Sequence, residues 1–382
     1  MFPPKADVVV IGAGVTGASI AYHLSKRKLD VVVFEKGDFV SGSSGACGGT
    51  IFLQTKNPGI HLKLAMQSAQ KFHHLEEELD SQFEYRKKGG MIVIENENQL
   101  PAIQQMVEKQ NQFGLDVSLL EKRQALELEP ALGKNILGAT FSPSDAELNP
   151  LLLTFALLTA AEKRGAKVIS NVKVTGIGKA SHRVRSVKTE KAEIETNIII
   201  NAAGAHAAEI GKMVGVEIPV KPRRGQLVVT EAVEPMISRC LLSAQYIAAK
   251  FNSKIAAHGG GVSIEQTLRG NFILGSTREF VGFDKRTTQE GLLYISKHVA
   301  RIMPWIKNLH VVRTFAGLRP YTPDGLPILG TVTGLDGFVM AAGHEGDGIA
   351  IAPITGEIIA DLIVDNKTGM YLEEYRLERF YS

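Results

Sequence analysis

The first folded unit of the chain is Val8-Val9-Val10-Ile11-Gly12-Ala13-Gly14-Val15-Thr16-Gly17, an apolar strand that runs directly into a glycine-rich turn. Gly12 permits the tight turn, Gly14 lets a pyrophosphate approach the backbone, and Gly17 lets a helix pack closely on the sheet. A helix that extends to Lys26 follows, and its N-terminus faces the phosphates. The stretch is typical of a dinucleotide-binding βαβ unit, so we expect Gly12 to Gly17 to contact the cofactor.

An acidic residue supports the same interpretation. The next apolar strand, Val31-Val32-Val33-Phe34, ends in Glu35, which lies 23 residues after Gly12. A carboxylate at this distance accepts both ribose hydroxyls of an adenosine, and it disfavours the 2′-phosphate of NADP. A glycine turn alone is weak support, but the strand before it, the helix after it and Glu35 together favour a bound dinucleotide over a turn in some other βα unit.

Composition limits the classes of protein that remain. The 382 residues suit two domains or one elaborated domain, and the apolar fraction of 44% with 22% charged residues is that of an ordinary globular protein. A net charge of +3 gives no reason to expect nucleic acid or an anionic membrane. Two cysteines exclude a disulfide framework. With no secretory or membrane-spanning pattern, we expect a cytoplasmic protein, and attachment to a membrane complex through a partner is left open.

Sequence patterns typical of a nucleotide-binding domain recur along the chain, and segments with a different pattern of apolar and polar residues separate them. Helices are predicted over 151–163 and 349–364, and strands over 167–170, 172–177, 198–201 and 337–342. Strands at 91–94, 226–229, 246–248 and 271–274 indicate a mixed or antiparallel sheet, accompanied by charged amphipathic helices. We therefore predict an α/β fold (α+β overall) with a Rossmann domain formed by residues 1–82, 146–218 and 306–382, interleaved with a smaller domain formed by 83–145 and 219–305.

A second glycine loop indicates which cofactor is bound. Gly343-His344-Glu345-Gly346-Asp347-Gly348 again joins a strand to a helix, so backbone N–H groups and a positive dipole end face something anionic. An NAD dehydrogenase has no evident need for this element. A flavin does, because its N1–C2=O edge becomes anionic on reduction. The small-residue run 42–49 fits a bulky ring, although alone it is equally well a surface loop. The two loops together favour FAD.

The whole chain resembles the flavin amine oxidoreductases, the family of D-amino acid oxidase, glycine oxidase and sarcosine oxidase. The resemblance rests on the motifs already quoted and on two others, Asn201-Ala202-Ala203-Gly204-Ala205 and Gly317-Leu318-Arg319-Pro320-Tyr321-Thr322-Pro323-Asp324-Gly325-Leu326-Pro327. Within the family, the chain is most similar to flavin subunits of heteromeric dehydrogenases of the D-hydroxyproline dehydrogenase, opine oxidase and hydrogen cyanide synthase type. The resemblance implies a glutathione-reductase-like FAD domain, an oligomer, and electron transfer to a partner subunit, with an interfacial FMN left open.

The cofactor-binding residues that we expect from the motifs and the resemblance lie in five groups. They are Gly12, Ala13, Gly14, Val15, Thr16 and Gly17; Glu35 and Lys36; Ser43, Ser44, Cys47, Gly48 and Gly49; Val174, Ala203 and Gly204; and Gly317, Arg319, Gly343, His344, Glu345, Gly346, Asp347, Gly348 and Ile349. Non-covalent FAD is expected, because the family's flavin-linking cysteine lies near the C-terminal Gly-Arg segment and this chain has none there. Cys47 is then a small buried side chain.

Three residues are candidates for the substrate site. Arg319 offers a planar fork that matches a carboxylate, and glycine oxidase has a carboxylate-binding arginine in the motif that this one resembles. The alternative for Arg319 is a structural ion pair with Asp324. Tyr246 either adds a hydroxyl to the same carboxylate or packs on a sheet face. His344 is either a base or, more commonly for such a residue, a packing group beside the cofactor.

Other residues give weaker signals. His206 stands where sarcosine-oxidase-like members often carry tryptophan, so that contact differs here. His73 and His74 fit a solvated helix face, and two scattered cysteines make no zinc site. Lys221, Arg223 and Arg224 are too short a cluster for nucleic acid.

The sequence therefore predicts an FAD-dependent amino acid dehydrogenase or oxidase. It would oxidise a small primary or secondary amine, such as D-hydroxyproline, proline, sarcosine or glycine, to its imine, as the catalytic subunit of a heteromeric dehydrogenase. The first alternative is a free-standing glycine or D-amino acid oxidase that uses oxygen. The second is a flavin-bearing scaffold subunit with no substrate of its own.

Overall fold

Two large sheets organise the molecule. The computed structural model describes residues 2–251, 260–370 and 372–381, and within these the sheets have nine and eight strands. The first sheet contains β1 (Val8–Ile11), β2 (Val31–Phe34), β8 (Lys167–Ile169), β9 (Val174–Ala180), β10 (Arg183–Thr189), β11 (Glu193–Glu195), β12 (Ile199–Asn201), β18 (Ile328–Val332) and β19 (Leu335–Ala342). The second contains β4 (Gly90–Ile94), β5 (Ser118–Glu121), β6 (Gly138–Ser142), β13 (Lys221–Ala232), β14 (Cys240–Ser243), β15 (Ser263–Gln266), β16 (Asn271–Gly275) and β17 (Val311–Tyr321). A small ribbon pairs β3 (Thr50–Ile51) with β7 (Ala146–Glu147).

The helices of the described residues are distributed between the two sheets. They are α1 (Val15–Lys26), α2 (Ile60–Leu79), α3 (Leu100–Gln112), α4 (Lys122–Leu128), α5 (Pro150–Glu162), α6 (Ala207–Val214), α7 (Gln245–Phe251), α8 (Gln289–Ile302) and α9 (Gly348–Val364). No helix in the part of the chain described is long and apolar enough to cross a membrane. The histidines at 73 and 74 lie exposed on α2, as expected.

The core of the first sheet is parallel. Strands β19, β12, β1, β2 and β8 are neighbours in that order, and every pair is parallel. All residues of β1 and β2 are buried, because α1, α2, α5 and α9 cover one face and α6 with β9 to β11 covers the other. Strands buried on both faces read as continuous apolar runs, which explains why the sequence shows Val8-Val9-Val10-Ile11 without alternation.

The second sheet is mixed. Its order is β17-β13-β16-β15-β14-β4-β6-β5, and β14 pairs with β4 in parallel while the other pairs are antiparallel. Helix α8 packs on one face through Ile295, Val299 and Ile302. The opposite face, which includes Leu227 and Leu242, borders an internal cavity. This sheet therefore forms one wall of the cavity.

The α/β fold and most predicted elements are confirmed, but two details differ from expectation. The predicted strand at 246–248 is wrong, because these residues lie in the short helix α7. Strand β17 lies in the second sheet, although the sequence groups it with the first domain. The apolar content of β17 gave no means of choosing a sheet, since register is settled by long-range pairing with β13. The division into domains stays a prediction.

Close packing of α1 on α9 gives a stability prediction. A Cβ added at Gly356 would lie 2.7 Å from the backbone oxygen of Ser19 and 2.2 Å from its Oγ. Gly356→Ala should therefore lower the free energy of unfolding by about 1–3 kcal/mol, as overpacking does in a buried interface. Urea denaturation of the flavin-loaded protein measures the change. Gly369→Ala is the control, because nothing lies within 4 Å of the added Cβ there. Equal stability of the two variants would contradict the prediction.

Candidate active site

A cavity of about 520 Å³ lies where the carboxyl ends of the parallel strands meet the second sheet. In open α/β sheets, ligands bind at this end of the strands. One part of the cavity is bordered by the first glycine turn and Glu35, and another by Tyr246 and Arg319. The same cavity is therefore lined by residues suited to a nucleotide and by residues suited to a second small molecule.

The first glycine turn has the backbone geometry that the sequence predicts. Gly12 has φ +109°, and a Cβ there would lie 2.5 Å from the carbonyl oxygen of Ala202. A Cβ on Gly17 would lie 1.9 Å from the oxygen of Gly12, so the helix could not approach the strand with any larger residue. Gly14 precedes α1 and supplies no side-chain cap, although Ser44 Oγ accepts a hydrogen bond of 3.0 Å from Val15 N. The start of α1 therefore faces the cavity.

Glu35 is fixed beside this turn. Its Oε2 accepts a hydrogen bond from Ala13 N at 3.0 Å, and its Oε1 accepts one from Gly37 N at 3.0 Å. Both donors are backbone groups at the ends of strands β1 and β2, so the carboxylate position follows from the fold. Glu35 also lines the cavity. A carboxylate held here fits the ribose hydroxyls of an adenosine.

The second glycine loop presents another helix N-terminus to the same cavity. Helix α9 begins at Gly348, and no side chain caps its first turn. Gly348 and Ile349 line the cavity, so first-turn N–H groups and the positive end of the dipole are directed at a ligand. An electron acceptor that becomes anionic on reduction fits this arrangement. Because Glu35 and the start of α9 both line the cavity, the cavity fits FAD.

Most residues predicted for the cofactor border the cavity. Those that line it are Gly12, Gly14, Val15, Thr16, Glu35, Lys36, Ser43, Ser44, Cys47, Gly48, Val174, Ala203, Gly204, Gly317, Arg319, His344, Glu345, Gly346, Asp347, Gly348 and Ile349. Four others, Ala13, Gly17, Gly49 and Gly343, do not line it and act through backbone geometry instead. Their individual roles in binding stay predictions.

Cys47 is a partly buried thiol that lines the cavity, rather than the fully buried side chain that the sequence predicts. Its Sγ donates to the carbonyl oxygen of Ser44 at 3.4 Å, and burial raises the pKa of the thiol to about 12. The thiolate needed for a covalent flavin bond is therefore scarce at neutral pH. Among the described residues, no cluster of His, Cys, Asp or Glu side chains could hold a metal ion.

Arg319 lies next to the second glycine loop, since a Cβ built on Gly346 would lie 3.7 Å from its Nε. Its Nη1 donates to the carbonyl oxygen of Thr277 at 3.2 Å, and its Nη2 contacts Ser276 Oγ. The alternative ion pair with Asp324 is wrong, since Asp324 instead binds Arg379 at 2.7 Å. Arg319 lines the cavity, so its guanidinium is available to an anionic ligand.

Tyr246 lies beside the same end, but on α7 rather than on a strand. The guanidinium carbon of Arg278 lies 4.0 Å from the centre of its ring, a cation–π contact. Tyr246 and Arg278 both line the cavity. The sequence analysis did not assign Arg278 to the site, because the residue reaches it from the turn that follows β16.

His344 has a packing role in the structure. Burial lowers its pKa to about 4, although the nearby Asp347 carboxylate acts in the opposite direction. Its Nε2 lies 3.3 Å from Thr355 Oγ1, and that hydroxyl donates its only proton to Ile351 at 2.8 Å. Nε2 must therefore carry the proton that joins the two side chains. A neutral imidazole tied to α9 fits the packing alternative better than the base.

The sequence analysis did not predict a buried ion pair that borders the cavity. Lys56 is 2% exposed, and its Nζ lies 2.6 Å from Asp347 Oδ1 and 3.0 Å from Thr55 Oγ1. His61 Nε2 lies 3.1 Å from the other oxygen of Asp347. Lys56 and Asp347 both line the cavity, and Asp347 directly precedes α9. The lysine thus compensates a carboxylate placed at the start of this helix.

The fold and this cavity define the chain as a flavin-dependent oxidoreductase. The sequence profile of the FAD dependent oxidoreductase (DAO) family matches residues 7–362, and the chain belongs to this family. Similarity extends over the full length of individual members. Glycine oxidase of Geobacillus kaustophilus is 30% identical over 98% of this chain and 97% of that protein. Hydrogen cyanide synthase subunit HcnC of Pseudomonas aeruginosa is 29% identical over 98% and 96%.

Solved structures show the same fold. L-proline dehydrogenase from P. horikoshii has a TM-score of 0.91 and 31% identity, with 100% of this chain and 99% of that chain covered. The glycine oxidase structure from Geobacillus kaustophilus has a TM-score of 0.90 and 29% identity, with 99% of each chain covered. The resemblance predicted from the motifs is therefore confirmed, as is FAD as the cofactor.

Glu35 provides a test of the nucleotide end. Glu35→Ala should weaken FAD binding by about tenfold to a hundredfold, because hydrogen bonds to a charged group contribute about 1.5–3 kcal/mol. Fluorescence titration of the flavin-free protein with FAD measures the dissociation constant. Asp38→Ala is the control, since Asp38 is an exposed acid three residues away that does not line the cavity. Unchanged affinity in Glu35→Ala would remove this residue from the binding site.

Lys56 provides a test of the part of the cavity beside the start of α9. Lys56→Met leaves the Asp347 charge uncompensated at the start of α9, so reduction to an anionic flavin should become less favourable. We expect the equilibrium between oxidised and two-electron-reduced flavin to shift about tenfold, which is about 30 mV toward more negative potential. Spectroelectrochemistry measures it.

Two further variants separate charge from packing at Lys56. Lys56→Met combined with Asp347→Asn removes both charges, so its potential should return toward that of the unmodified protein. Lys63→Met, which removes an exposed lysine of α2, should leave the potential unchanged. The same negative shift in Lys56→Met with and without Asp347→Asn would show that charge compensation is not the cause.

Proposed function

We propose that this protein uses FAD to oxidise a small amino acid, with a primary or secondary amine, to its imine. The observation that carries the proposal is Arg319, whose guanidinium lines the cavity and contacts Ser276 and Thr277. In the described part of the chain, no carboxylate makes an ion pair with Arg319. A guanidinium fork that is held by neutral groups beside a flavin cavity fits an α-carboxylate. The similarity to glycine oxidase and L-proline dehydrogenase supports the same class of substrate.

The chain's own residues position the substrate and exclude water. Arg319 would bind the carboxylate, and the Tyr246 hydroxyl lies near the same place, 3.9 Å from a Cβ built on Gly346. Oxidation of the C–N bond removes two electrons and two protons from the amine and leaves a C=N bond. FAD, when bound, accepts the two electrons. Holding the reacting carbon in one orientation is the main requirement for such a transfer.

We further propose that the chain works as the catalytic subunit of a heteromeric dehydrogenase. The similarity to a hydrogen cyanide synthase subunit supports this version. An exposed apolar loop after β16 supports it too, since Phe280 is 59% exposed, Phe283 is 46% exposed and Phe283 lines the cavity. Exposed apolar patches of this kind mark protein–protein contacts. The similarity to glycine oxidase favours a second candidate, a free-standing oxidase that transfers electrons to oxygen.

Anaerobic bleaching of the flavin tests the proposed chemistry. The purified chain is mixed with glycine, sarcosine, and both enantiomers of proline and hydroxyproline, and absorbance of oxidised flavin is followed. Bleaching by at least one of these amines is the expected result. A flavin that no amine bleaches, even with candidate partner subunits present, would favour a scaffold role. Rapid reoxidation by oxygen would favour the free-standing oxidase.

Arg319→Lys tests the role of the guanidinium fork. A lysine keeps the charge but loses bidentate geometry, so KM should rise about tenfold or more while FAD stays bound. Steady-state kinetics with the bleaching substrate measures the change, and flavin absorbance reports cofactor content. Arg313→Lys is the matched control, because Arg313 lies exposed on the same strand. An unaltered KM in Arg319→Lys would remove Arg319 from the substrate site.

A further inference from the structure

The substrate end of the cavity has more positive than negative charge. Three arginines, Arg223, Arg278 and Arg319, meet there with one carboxylate, Glu345. Arg278, Arg319 and Glu345 line the cavity directly. Burial of charge is costly unless an opposite charge is close, so the distribution of these four groups constrains the ligand.

Glu345 is already paired with Arg223. The two side chains form an ion pair in which both are largely buried, and the guanidinium of Arg223 also lies 4.7 Å from the ring centre of Tyr321. The neighbouring arginines hold the pKa of Glu345 low, although burial alone would raise it. This carboxylate is therefore ionised, and its charge is compensated by Arg223.

Arg319 and Arg278 are held by neutral groups instead. Arg319 contacts Ser276 and Thr277, while Arg278 donates from Nη1 to the carbonyl oxygen of Gly260 at 3.2 Å and lies over the Tyr246 ring. Neither makes an ion pair with a carboxylate of the described residues. The sequence of residues 252–259, Asn-Ser-Lys-Ile-Ala-Ala-His-Gly, contains no acid that could supply one.

Two other acids near the cavity do not compensate these charges. Asp347 is paired with Lys56. Glu265 accepts hydrogen bonds from Gly49 N at 2.9 and 3.0 Å, does not line the cavity, and has a pKa that burial raises to about 7. Burial lowers the pKa of Arg319, Glu345 acts in the opposite direction, and Arg278 and Arg223 lower it further, so the arginines are close enough to repel one another. With three arginines and one ionised carboxylate, this end of the cavity therefore presents two more positive than negative charges to its ligand.

We propose that the substrate is an amine that carries two carboxylates, one bound by Arg319 and the other by Arg278. The inference deepens the proposed function and rests on it. A substrate with a single carboxylate would leave one guanidinium without a counter-charge in a confined space. Two carboxylates would compensate both arginines, and each guanidinium has a planar edge for bidentate contact.

Two kinds of compound share this chemistry. One is a secondary amine with a carboxylate-bearing carbon on each side of the nitrogen, such as iminodiacetate. The other is an acidic α-amino acid, such as glutamate. In both, oxidation removes two electrons and two protons to give a C=N bond, and addition of water then releases an amine or ammonia together with a 2-oxo acid. Bound FAD accepts the electrons.

Binding of unreactive analogues tests the charge requirement without turnover. Oxydiacetate and methoxyacetate have the same ether linkage and differ in having two carboxylates or one. Perturbation of the flavin absorbance measures each dissociation constant in the FAD-loaded chain. We expect oxydiacetate to bind at least tenfold more tightly, since a hydrogen-bonded charge pair contributes this much or more. Equal affinity, or tighter binding of methoxyacetate, would overturn the proposal.

Variants assign the two carboxylates to the two arginines. Arg278→Met should remove the tenfold preference for oxydiacetate and leave methoxyacetate binding within threefold, whereas Arg319→Met should weaken both. Arg278→Lys, which keeps the charge, should retain part of the preference. Arg286→Met is the control, because Arg286 is exposed on the same loop and outside the cavity. A uniform loss for both ligands in Arg278→Met, with FAD content unchanged, would overturn the role of Arg278.

Flavin reduction distinguishes the two kinds of substrate. It also separates the inference of a dicarboxylate substrate from the proposed amine oxidation on which it rests. The matched pairs are iminodiacetate with sarcosine, and each enantiomer of glutamate with 2-aminobutyrate. Faster anaerobic bleaching by the dicarboxylate of either pair supports the inference and shows which of the two kinds of compound is the substrate. Bleaching by sarcosine or proline alone would overturn the inference while the proposed amine oxidation stands. If no compound bleaches the flavin, the proposed function fails, and the binding comparison still decides the charge requirement.

Discussion

Two helices begin at one cavity with first-turn N–H groups that no side chain of their own N-terminus caps, and the remaining architecture serves this arrangement. Helix α1 starts after Gly14, where Ser44 from a distant loop accepts a hydrogen bond from Val15 N, and α9 starts at Gly348. Unpaired N–H groups at the positive end of a helix favour an anionic partner. The parallel strands place both N-termini at their carboxyl ends, so a diphosphate and a reducible ring can be bound by the same sheet.

The second sheet determines what else reaches the cavity. Strand β17 passes so close to the loop after β2 that a Cβ on Gly317 would lie 2.1 Å from the oxygen of Ala46. Two residues further along the same strand is Arg319. This close backbone contact fixes the strand beside the loop after β2, and Ser276 and Thr277 then hold the guanidinium. The position of the arginine relative to the cofactor loop is a property of strand pairing rather than of a flexible segment.

Charge compensation differs between the groups around the cavity. Lys56 with Asp347, and Arg223 with Glu345, are pairs whose charges largely cancel. Arg278 and Arg319 donate their hydrogen bonds to neutral groups of the described residues, and Glu345, the carboxylate near them, is already paired with Arg223. This difference is the basis of our proposal that Arg278 and Arg319 recognise an anionic substrate, whereas the paired residues shape the surroundings of the flavin. His344, which is neutral and tied to Thr355, belongs with the first group.

Local sequence was sufficient for the nucleotide-binding unit. The strand, glycine turn, helix and Glu35 follow one another closely in the chain, and Gly12 and Gly17 meet steric demands within this unit or at the adjoining strand end at Ala202. The substrate end depends on contacts between segments far apart in the chain. Tyr246 was assigned to a strand because alternation does not distinguish one turn of helix from a short strand. The sequence did not predict Lys56, some 290 residues before Asp347, or Arg278, which meets Tyr246 only through folding, as residues of the site. The sequence by itself determined the fold class and the cofactor, because those follow from local backbone requirements. Only the tertiary structure decided which charges are paired and which face the ligand, because pairing depends on distances between residues that sequence order does not relate.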